Sequence, residues 1–425
     1  MKKNIKSKNK LKIKYNNSAV ISPLDEHMGL DIARSLGRRG IKVFGFDPDP
    51  KAVARVSNYC ELVVCPDLRY SEKEFIQFLI EWGKTQSNKS VLYPVSDETV
   101  FLCSREREKI KPYFEFVVPD HGMLEKLSSK QGLDSAAIEF NIPAPITVIP
   151  SDVHEVEMIV TSLTFPVILK PTVSSYWHTS EIQSLFRENA LSGRVKVVVC
   201  NNGKELLQNY NRIAGFDMRM IIQEMIPGPD ENLAYISFYL NRHSIPLAIF
   251  AGKKIRTLPI GFGSASYVRS FQDSELEQVA LQLLSRSKYQ GFGGLEFKKD
   301  IRDGKYKLVE FNTRFGMWDG LAVRCGVDTP YISYQDILGK AIEPQLTYKS
   351  NIIWVDWQKD VRAFWMYHKQ KNHTFFQWIK SLQGEKMWAI YSFEDWRPGV
   401  EFTFRLFLLF LTKITKILFS PRKNR

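Results

Sequence analysis

The chain has 425 residues, of which 44% are hydrophobic and 25% are charged. This length suggests roughly two or three domains, and the composition is that of an ordinary globular enzyme. The sequence contains no apolar stretch long enough to span a bilayer and no apolar signal-peptide core near its start, so we expect a cytoplasmic protein. The five cysteines are scattered, without paired spacing or a nearby histidine, which argues against a disulfide framework or a zinc site.

Much of the formal net charge of +13 lies at the two ends of the chain. Residues 1–16 form a basic tail, which we predict to be disordered. The sequence is compatible with a tail that is solvated and with one that contacts an anionic membrane or polymer. No helix-turn-helix, zinc-finger or aromatic RNA-binding signature accompanies the charge, so we do not expect a nucleic acid as partner.

Alternating strands and helices predict a Rossmann-like α/β domain in residues 17–122. We place strands at 18–22, 41–46, 62–65 and 91–95 and helices at 30–39 and 71–82. The glycine pattern after the first strand differs from GxGxxG, which argues against a bound dinucleotide.

A second domain is predicted after the proline-rich link at residues 141–145, which follows a helix-forming stretch that carries Lys130. The apolar strand at 165–171 ends with Lys170. A lysine in that position is costly to bury unless it meets an anion, which favours a phosphate contact over a solvated strand end.

A further strand at 219–226 stops at Pro227-Gly228-Pro229, before two acids. A strand that breaks in this way can present backbone groups to an adenine edge, with an acid beyond it for ribose hydroxyls. By itself this signal is weak.

The most informative stretch is 305–317, where Glu310, Asn312 and Arg314 alternate along a predicted strand and so share one face. Glu296 lies on a strand of its own, and an Asp-Gly turn between the two strands predicts a hairpin. Two carboxylates and an amide can hold one or two Mg²⁺ ions, and a guanidinium suits phosphate oxygens. An exposed ribbon with solvated acids would show the same pattern, so both interpretations remain open for this hairpin taken alone.

Taken together and in this order, these residues resemble the ATP-grasp superfamily. The resemblance rests on Lys130, on Lys170 with its following proline, on QEMIPGPDE at 223–231, and on GGLEF followed by KLVEFNTRFG at 307–316. It covers residues 18–339. The pattern is similar to the branch that contains carbamoyl-phosphate synthase large-subunit domains and D-aspartate ligase-type carboxylate-amine ligases.

The resemblance implies a Rossmann-like pre-ATP-grasp domain, followed in residues 123–342 by two α+β lobes that close on ATP. It implies ATP and Mg²⁺ or Mn²⁺ as cofactors. The site residues carried over by position are Lys130 and Lys170 for phosphates, Lys196 for the nucleotide, Gln223, Glu224, Met225 and Ile226 for adenine, Glu231 for ribose, Glu296, Glu310 and Asn312 for the metal, and Arg314 for the transferring phosphoryl group.

The reaction of that family forms an acyl phosphate from a carboxylate and ATP, and attack by an amine then gives an amide, ADP and phosphate. We therefore expect a ligase acting on a small-molecule carboxylate and an amine. Arg256 is our candidate for the substrate carboxylate, because a guanidinium can bind it bidentately. The alternatives are a kinase-type or carboxylase-type use of the same site, and a non-catalytic ATP-binding adaptor at the membrane.

Residues 343–425 lie outside the superfamily pattern and form a tryptophan-rich extension that we predict to be helical. Its last part, 402–419, is predicted as a basic amphipathic helix. Such a helix could lie on an anionic membrane surface, which would make the protein peripheral on the inner face of the membrane, or it could pack on the protein's own core. The sequence leaves both possibilities open.

Overall fold

The computed structural model describes residues 15–25, 27–172, 174–177, 179–185 and 197–419. These residues group into two compact units. The first unit contains the described residues up to 99 together with 106–116 and those from 392 onwards, and the second contains 100–105 and 117–391. Residues 1–14 of the predicted basic tail lie outside the described residues. The predicted domain boundaries stay predictions.

The first unit is built on a parallel five-stranded sheet. Its strands are β1 (Ala19–Ser22), β2 (Val43–Asp47), β3 (Glu61–Val64), β4 (Ser90–Pro94) and β5 (Phe114–Glu115). They lie in the order β3-β2-β1-β4-β5, which is the order of a Rossmann-type sheet. Every residue of β1 and β4 is buried, as expected for central strands that are covered on both faces.

Helices connect these strands, as the alternating sequence pattern predicts. They are α1 (Met28–Gly37), α2 (Glu72–Lys84), α3 (Asp97–Arg105) and α4 (Arg107–Ile110). Phe78 and Trp82, four residues apart on α2, share one face of that helix. Both rings pack edge-on against Phe46 of β2 with ring centroids 5.0 Å apart, so this helix is fixed to the sheet by aromatic contacts.

The second unit contains a small four-stranded sheet with strands β6 (Thr147–Val148), β7 (Val167–Pro171), β8 (Val198–Cys200) and β9 (Met220–Glu224), in the order β6-β9-β7-β8. The helices of this part of the chain are α5 (His121–Ser128), α6 (Lys130–Phe140), α7 (Val153–Ile159), α8 (Ser180–Leu185) and α9 (Gly203–Ala214). Leu206, Tyr210 and Ile213 of α9 are buried in one core with Val167 and Leu169 of β7. This core holds the strand that carries Lys170.

A larger seven-stranded sheet completes the second unit. Its strands are β10 (Leu233–Leu240), β11 (Pro246–Leu258), β12 (Ser264–Ser270), β13 (Gly291–Lys299), β14 (Tyr306–Asn312), β15 (Ile353–Val355) and β16 (Lys386–Trp388), in the order β14-β13-β10-β11-β12-β15-β16. The associated helices are α10 (Ser274–Ser287), α11 (Gly320–Cys325), α12 (Thr329–Ile337), α13 (Trp357–Lys369) and α14 (Phe375–Ser381).

The sequence predicted a helical tryptophan-rich extension, but the structure shows that this extension also contains strands. Its strands β15 and β16 extend the larger sheet, with β15 antiparallel to β12 and β16 parallel to β15. Each has only three residues, which is too short to show a period of two in the sequence. Residues 343–391 thus belong to the second unit.

The chain then joins the first unit again and ends in helix α15 (Arg397–Phe419), which begins five residues before the helix predicted at 402–419. Just ahead of it, Asp395 is completely buried. Its carboxylate accepts hydrogen bonds from Arg34 Nε at 3.0 Å, Ser57 Oγ at 2.8 Å and the backbone N–H of Asn58 at 2.9 Å. Within the described residues, no helix has the length and apolarity needed to cross a membrane.

The buried Asp395 contact leads to a stability prediction. Asp395→Ala should lower the free energy of unfolding by about 3 to 5 kcal/mol, because it leaves the buried Arg34 guanidinium without its carboxylate. Urea unfolding would measure the loss. The matched control is Glu394→Ala, whose pairing with Arg38 is solvent-exposed and should contribute no more than about 1 kcal/mol. Equal effects of the two substitutions would contradict the prediction.

Candidate active site

The second unit contains a cavity of about 400 Å³ that is lined by residues of both its sheets. The charged and amide side chains of the lining are Lys130, Lys170, Gln223, Glu224, Lys254, Glu296, Lys298, Glu310, Asn312 and Arg314. Most of the site residues predicted from the sequence are therefore brought together at one place.

The β13–β14 hairpin presents the predicted metal ligands. In its antiparallel register Glu296 lies directly opposite Glu310, and Gly294 lies opposite Asn312. Side chains directly opposite each other in such a pair extend from the same face of the sheet. The hairpin turn contains Gly304 with a φ of +73°, a left-handed conformation that glycine adopts without a steric penalty. The structure thus places both carboxylates and the amide beside the cavity, as predicted.

A lysine that the sequence analysis did not assign to the site joins these acids. Lys254 of β11 is buried, lines the cavity and binds the Glu296 carboxylate through its ammonium group. In the sequence, Lys254 is simply one of several basic residues near the end of a predicted strand. The contact depends on which strands are neighbours in the sheet, which the sequence alone does not reveal.

Lys170 enters the cavity from the small sheet. The side chain is buried, and Nζ donates a hydrogen bond to Gln223 Oε1 at 2.7 Å. Gln223 in turn donates from Nε2 to Thr147 Oγ1 at 2.8 Å, which fixes the amide orientation. The pKa of Lys170 is lowered to about 7, chiefly by burial and next by Lys130, whereas Glu310 acts in the opposite direction. An anion bound beside this amine would favour its charged form.

The charges on the two sides of the cavity are complementary. The pKa of Glu310 is lowered chiefly by Lys130, with smaller contributions from Lys254, Lys170 and Arg314, and these outweigh the effect of burial. Glu310 is therefore ionised at neutral pH. The lysines supplied by α6 and β7 face the carboxylates supplied by the large sheet.

Glu224, predicted beside adenine, lines the cavity at the end of β9 and also takes part in an ion-pair network. Its carboxylate binds Arg302 and lies 3.7 Å from Lys307 Nζ. Both cations also bind Asp300, with Lys307 Nζ at 2.7 Å from its carboxylate. The network joins the small sheet to the β13–β14 hairpin. Met225 and Ile226 follow and also line the cavity.

The acid predicted for ribose is not among the cavity-lining residues. Glu231 is exposed, whereas its neighbour Asp230 is buried. Asp230 accepts hydrogen bonds from Thr257 Oγ1 at 2.5 Å and from the backbone N–H of Gly261 at 3.1 Å. Asp230 thereby holds the turn that begins at Gly261, and residues of this turn line the cavity. Lys196, predicted to contact the nucleotide, lies outside the described residues.

Arg256, predicted to bind the substrate carboxylate, is also absent from the lining. The register of β11 shifts so that Lys254 lies opposite Val268 while Arg256 lies opposite Tyr267. Adjacent residues of β12 point to opposite faces, so the irregularity turns Arg256 away from the face that carries Lys254. Its guanidinium stacks over the Tyr267 ring at 4.2 Å and binds the buried carboxylate of Asp360 through two hydrogen bonds of 2.8 Å. We therefore correct the prediction for Arg256.

Two buried polar groups next to the cavity were missed by the sequence analysis. The Tyr235 hydroxyl and Asp319 Oδ1 have no hydrogen-bond partner among the described residues. Both lie at Gly316, where an added Cβ would be 2.7 Å from each of them. A Cβ at Gly294 would lie 1.7 Å from the same tyrosine hydroxyl, so the two glycines make room for it. Only the glycines of this stretch could have signalled the contact.

The comparisons with known proteins agree with this geometry. No protein-family model matches the chain. D-aspartate ligase from Enterococcus faecium (strain Aus0004) is 25% identical over 354 residues, which are 80% of this chain and 79% of that protein. This similarity runs along most of both chains and supports an ATP-grasp ligase.

Solved structures show the same fold. A biotin carboxylase–β-γ-ATP complex from Campylobacter jejuni matches with a TM-score of 0.60 and 16% identity, over 79% of this chain and 74% of that chain. L-amino acid ligase from Bacillus licheniformis matches with a TM-score of 0.56 and 14% identity, over 77% of this chain and 75% of that chain. The predicted resemblance to ATP-grasp enzymes and the mixed α/β fold are confirmed, while the roles of single residues stay predictions.

The contacts of Arg256 indicate that it stabilises the fold and does not bind substrate. Arg256→Gln should lower the free energy of unfolding by about 3 to 5 kcal/mol, because the buried Asp360 loses its partner. At a temperature where the variant remains folded, its KM for the carboxylate substrate should equal that of the unmodified enzyme. A raised KM with unchanged stability would restore the carboxylate-binding role.

Asp319 predicts a pH dependence of stability. Burial raises its pKa to about 7, so between about pH 4 and 7 the folded protein keeps a proton that an unfolded aspartate has released. The stability contribution of this group is therefore present at acidic pH and is lost as the pH rises through 7. Asp319→Asn cannot ionise, so urea unfolding should show the variant gaining stability relative to the unmodified protein over this range. A difference that does not change with pH would show that Asp319 is ionised throughout.

Proposed function

We propose that this protein is an ATP-grasp ligase that joins a small-molecule carboxylate to an amine with consumption of ATP, giving an amide, ADP and phosphate. The observation that carries the proposal is the grouping of Glu296, Glu310 and Asn312 with Lys130 and Lys170 in one cavity. The similarity to D-aspartate ligase favours amide formation over a kinase-type or carboxylase-type use of the site.

The hairpin residues fit a hard divalent cation. Glu296 and Glu310 each offer a carboxylate and Asn312 an amide oxygen, from one face of two paired strands. Oxygen ligands of this kind suit Mg²⁺ or Mn²⁺. The ammonium group of Lys254 is already bound to Glu296, which shows that positive charge is favourable at this place. When bound, the metal supplies neutralisation of phosphate charge.

The small sheet fits the phosphates of ATP. Lys170 is held by Gln223 and is buried beside Lys130. A phosphate would favour the charged form of Lys170, which burial alone disfavours. The segment from Gln223 to Ile226 would border the adenine, because its residues line the same cavity at the end of β9.

The reaction that we propose has two steps. A carboxylate oxygen of the substrate attacks the γ-phosphorus, the bond from this phosphorus to the bridging oxygen breaks, and ADP leaves an acyl phosphate behind. The amine nitrogen then attacks the acyl carbon, the carbon–oxygen bond to phosphate breaks, and the nitrogen loses a proton. Arg314, which lines the cavity two residues after Asn312, would stabilise the charge on the transferring phosphoryl group.

No covalent nucleophile of the protein is required for these steps, because positioning and charge stabilisation supply the catalysis. Lys130, Lys170, Lys254 and Arg314 all line the cavity beside the acids and can act on developing charge without reorganisation. We propose that the enzyme works in the cytoplasm, where ATP is available.

The proposed function predicts ADP release that depends on a carboxylate and an amine together. The purified full-length protein would be supplied with Mg-ATP and a pool of amino acids and small carboxylates. Glu310→Ala should reduce turnover by roughly 100-fold or more, because the cavity loses a proposed metal ligand. The matched control is Glu157→Ala, a carboxylate on α7 that is more than half exposed and should leave the rate unchanged.

Mass spectrometry of the products would decide between the chemistries. An amide supports the ligase. A phosphorylated product, or a carboxylated one formed with bicarbonate, would replace it with the kinase-type or carboxylase-type alternative. ATP binding without turnover for any pair of substrates would favour the non-catalytic adaptor.

A further inference from the structure

Helix α15 is held to the first unit near its start. Glu401 accepts a hydrogen bond from Arg55 Nη1 at 2.9 Å and another from Arg405 Nε at 3.0 Å. Two residues before the helix starts, the buried Asp395 is bound to Arg34 and Ser57. The first turns of α15 are therefore fixed in place by ion pairs and hydrogen bonds.

The next part of α15 is exposed on all sides. Residues 407–412 are all exposed, and five of the six are large and apolar: Phe407, Leu408, Leu409, Phe410 and Leu411. Successive residues of an α-helix point about 100° apart, so five in a row go right round the axis. None of the described parts of the chain covers this segment. Five bulky apolar side chains exposed together mark an interaction surface rather than scattered surface residues.

A continuous apolar stripe connects this segment to the start of the helix. The stripe consists of Trp396, Val400, Phe404, Phe407, Leu408 and Leu411, each between 40% and 57% exposed. The spacing of three or four residues places them along one face, over about 22 Å at 1.5 Å per residue. Glu401 and Arg405 lie to one side of this stripe. The stripe has no cover among the described residues, and at 407–411 the apolar surface extends round the helix.

The excess positive charge of the sequence lies in its two terminal segments, and one of them contains this helix. Residues 402–425 contain Arg405, Lys413, Lys416, Arg422, Lys423 and Arg425 and no acid, and residues 1–24 contain seven lysines and no acid. These thirteen cations equal the formal net charge of +13, so residues 25–401 are balanced. All of the excess positive charge belongs to the two terminal segments of the sequence.

We propose that α15 binds the surface of a membrane that contains anionic lipids, with the apolar stripe inserted at the level of the headgroups and the neighbouring cations on lipid phosphates. An apolar helix face combined with a polybasic segment supplies the two signals that stable attachment to a membrane surface requires. A second copy of the chain would bring the same six cations against this helix, and the lysine-rich start of the chain is also cationic. Charge complementarity therefore selects an anionic surface over either of these occupants.

The test is flotation of the full-length protein with vesicles of phosphatidylcholine alone or of phosphatidylcholine mixed with phosphatidylglycerol, without ATP. We expect binding to the mixed vesicles that weakens as salt is raised. The variant Phe404→Ser/Phe407→Ser/Leu411→Ser should bind about tenfold more weakly or worse, because it removes half of the stripe. All three side chains are exposed, so the variant should fold normally, and its unfolding midpoint checks this.

A matched control removes exposed apolar side chains elsewhere. The variant Ile138→Ser/Met158→Ser/Phe376→Ser changes three exposed side chains of the second unit and should bind vesicles like the unmodified protein. Equal loss in both variants, equal binding to both kinds of vesicle, or no binding at all would overturn the proposal. So would a dimer in vesicle-free solution that dissociates in the stripe variant, because the stripe would then belong to a second copy.

The outcome is independent of the proposed ligase activity. Flotation needs no turnover, and none of the substituted residues lines the cavity. ADP release by the stripe variant in vesicle-free solution should therefore equal that of the unmodified protein. If the protein binds vesicles but releases no ADP, the ligase proposal fails while the membrane proposal stands. Turnover without vesicle binding gives the reverse result.

Discussion

The second unit is organised around two carboxylates that face each other across one hairpin. Glu296 and Glu310 are opposite residues of β13 and β14, and like charges in this position repel. The fold offsets the repulsion with cations from several elements. Lys254 binds Glu296 directly, while Lys130, Lys170 and Arg314 help to keep Glu310 ionised. A pair of acids held in this way, beside a cavity, is suited to a divalent cation with phosphate oxygens on its other side.

Ion pairs beside the cavity hold the two sheets of the second unit together. The proposed metal ligands are on the large sheet, whereas Lys170 is on the small one. The Glu224 carboxylate at the end of β9 binds Arg302, which lies in the turn of the metal hairpin and also binds Asp300. Residues that border the cavity are thus linked by ion pairs to the hairpin that carries the acids. An arrangement of this kind limits how far Lys170, proposed to bind phosphate, can move from the proposed metal ligands.

Local patterns predicted the hairpin and the Rossmann-type sheet because both depend on neighbours in the sequence. Alternation places Glu310 and Asn312 on one face of a strand, and the Asp-Gly turn sets the pairing with Glu296. The error at Arg256 has the opposite cause. A register shift in β11 sends Arg256 to Asp360 and leaves Lys254 at the cavity, and an irregularity of that kind leaves no mark on a period of two.

The net charge shows how far composition alone can mislead. A value of +13 suggests a polyanionic partner for the whole protein, yet residues 25–401 contain equal numbers of cations and acids. The cations beside the cavity face carboxylates and would act on the few charges of a nucleotide. The terminal segments contain no acids in their own sequence, and the C-terminal one includes the exposed apolar part of α15. Positive charge that is compensated within a cavity and positive charge that lacks neighbouring acids in the sequence therefore favour different partners, and their positions in the chain distinguish them.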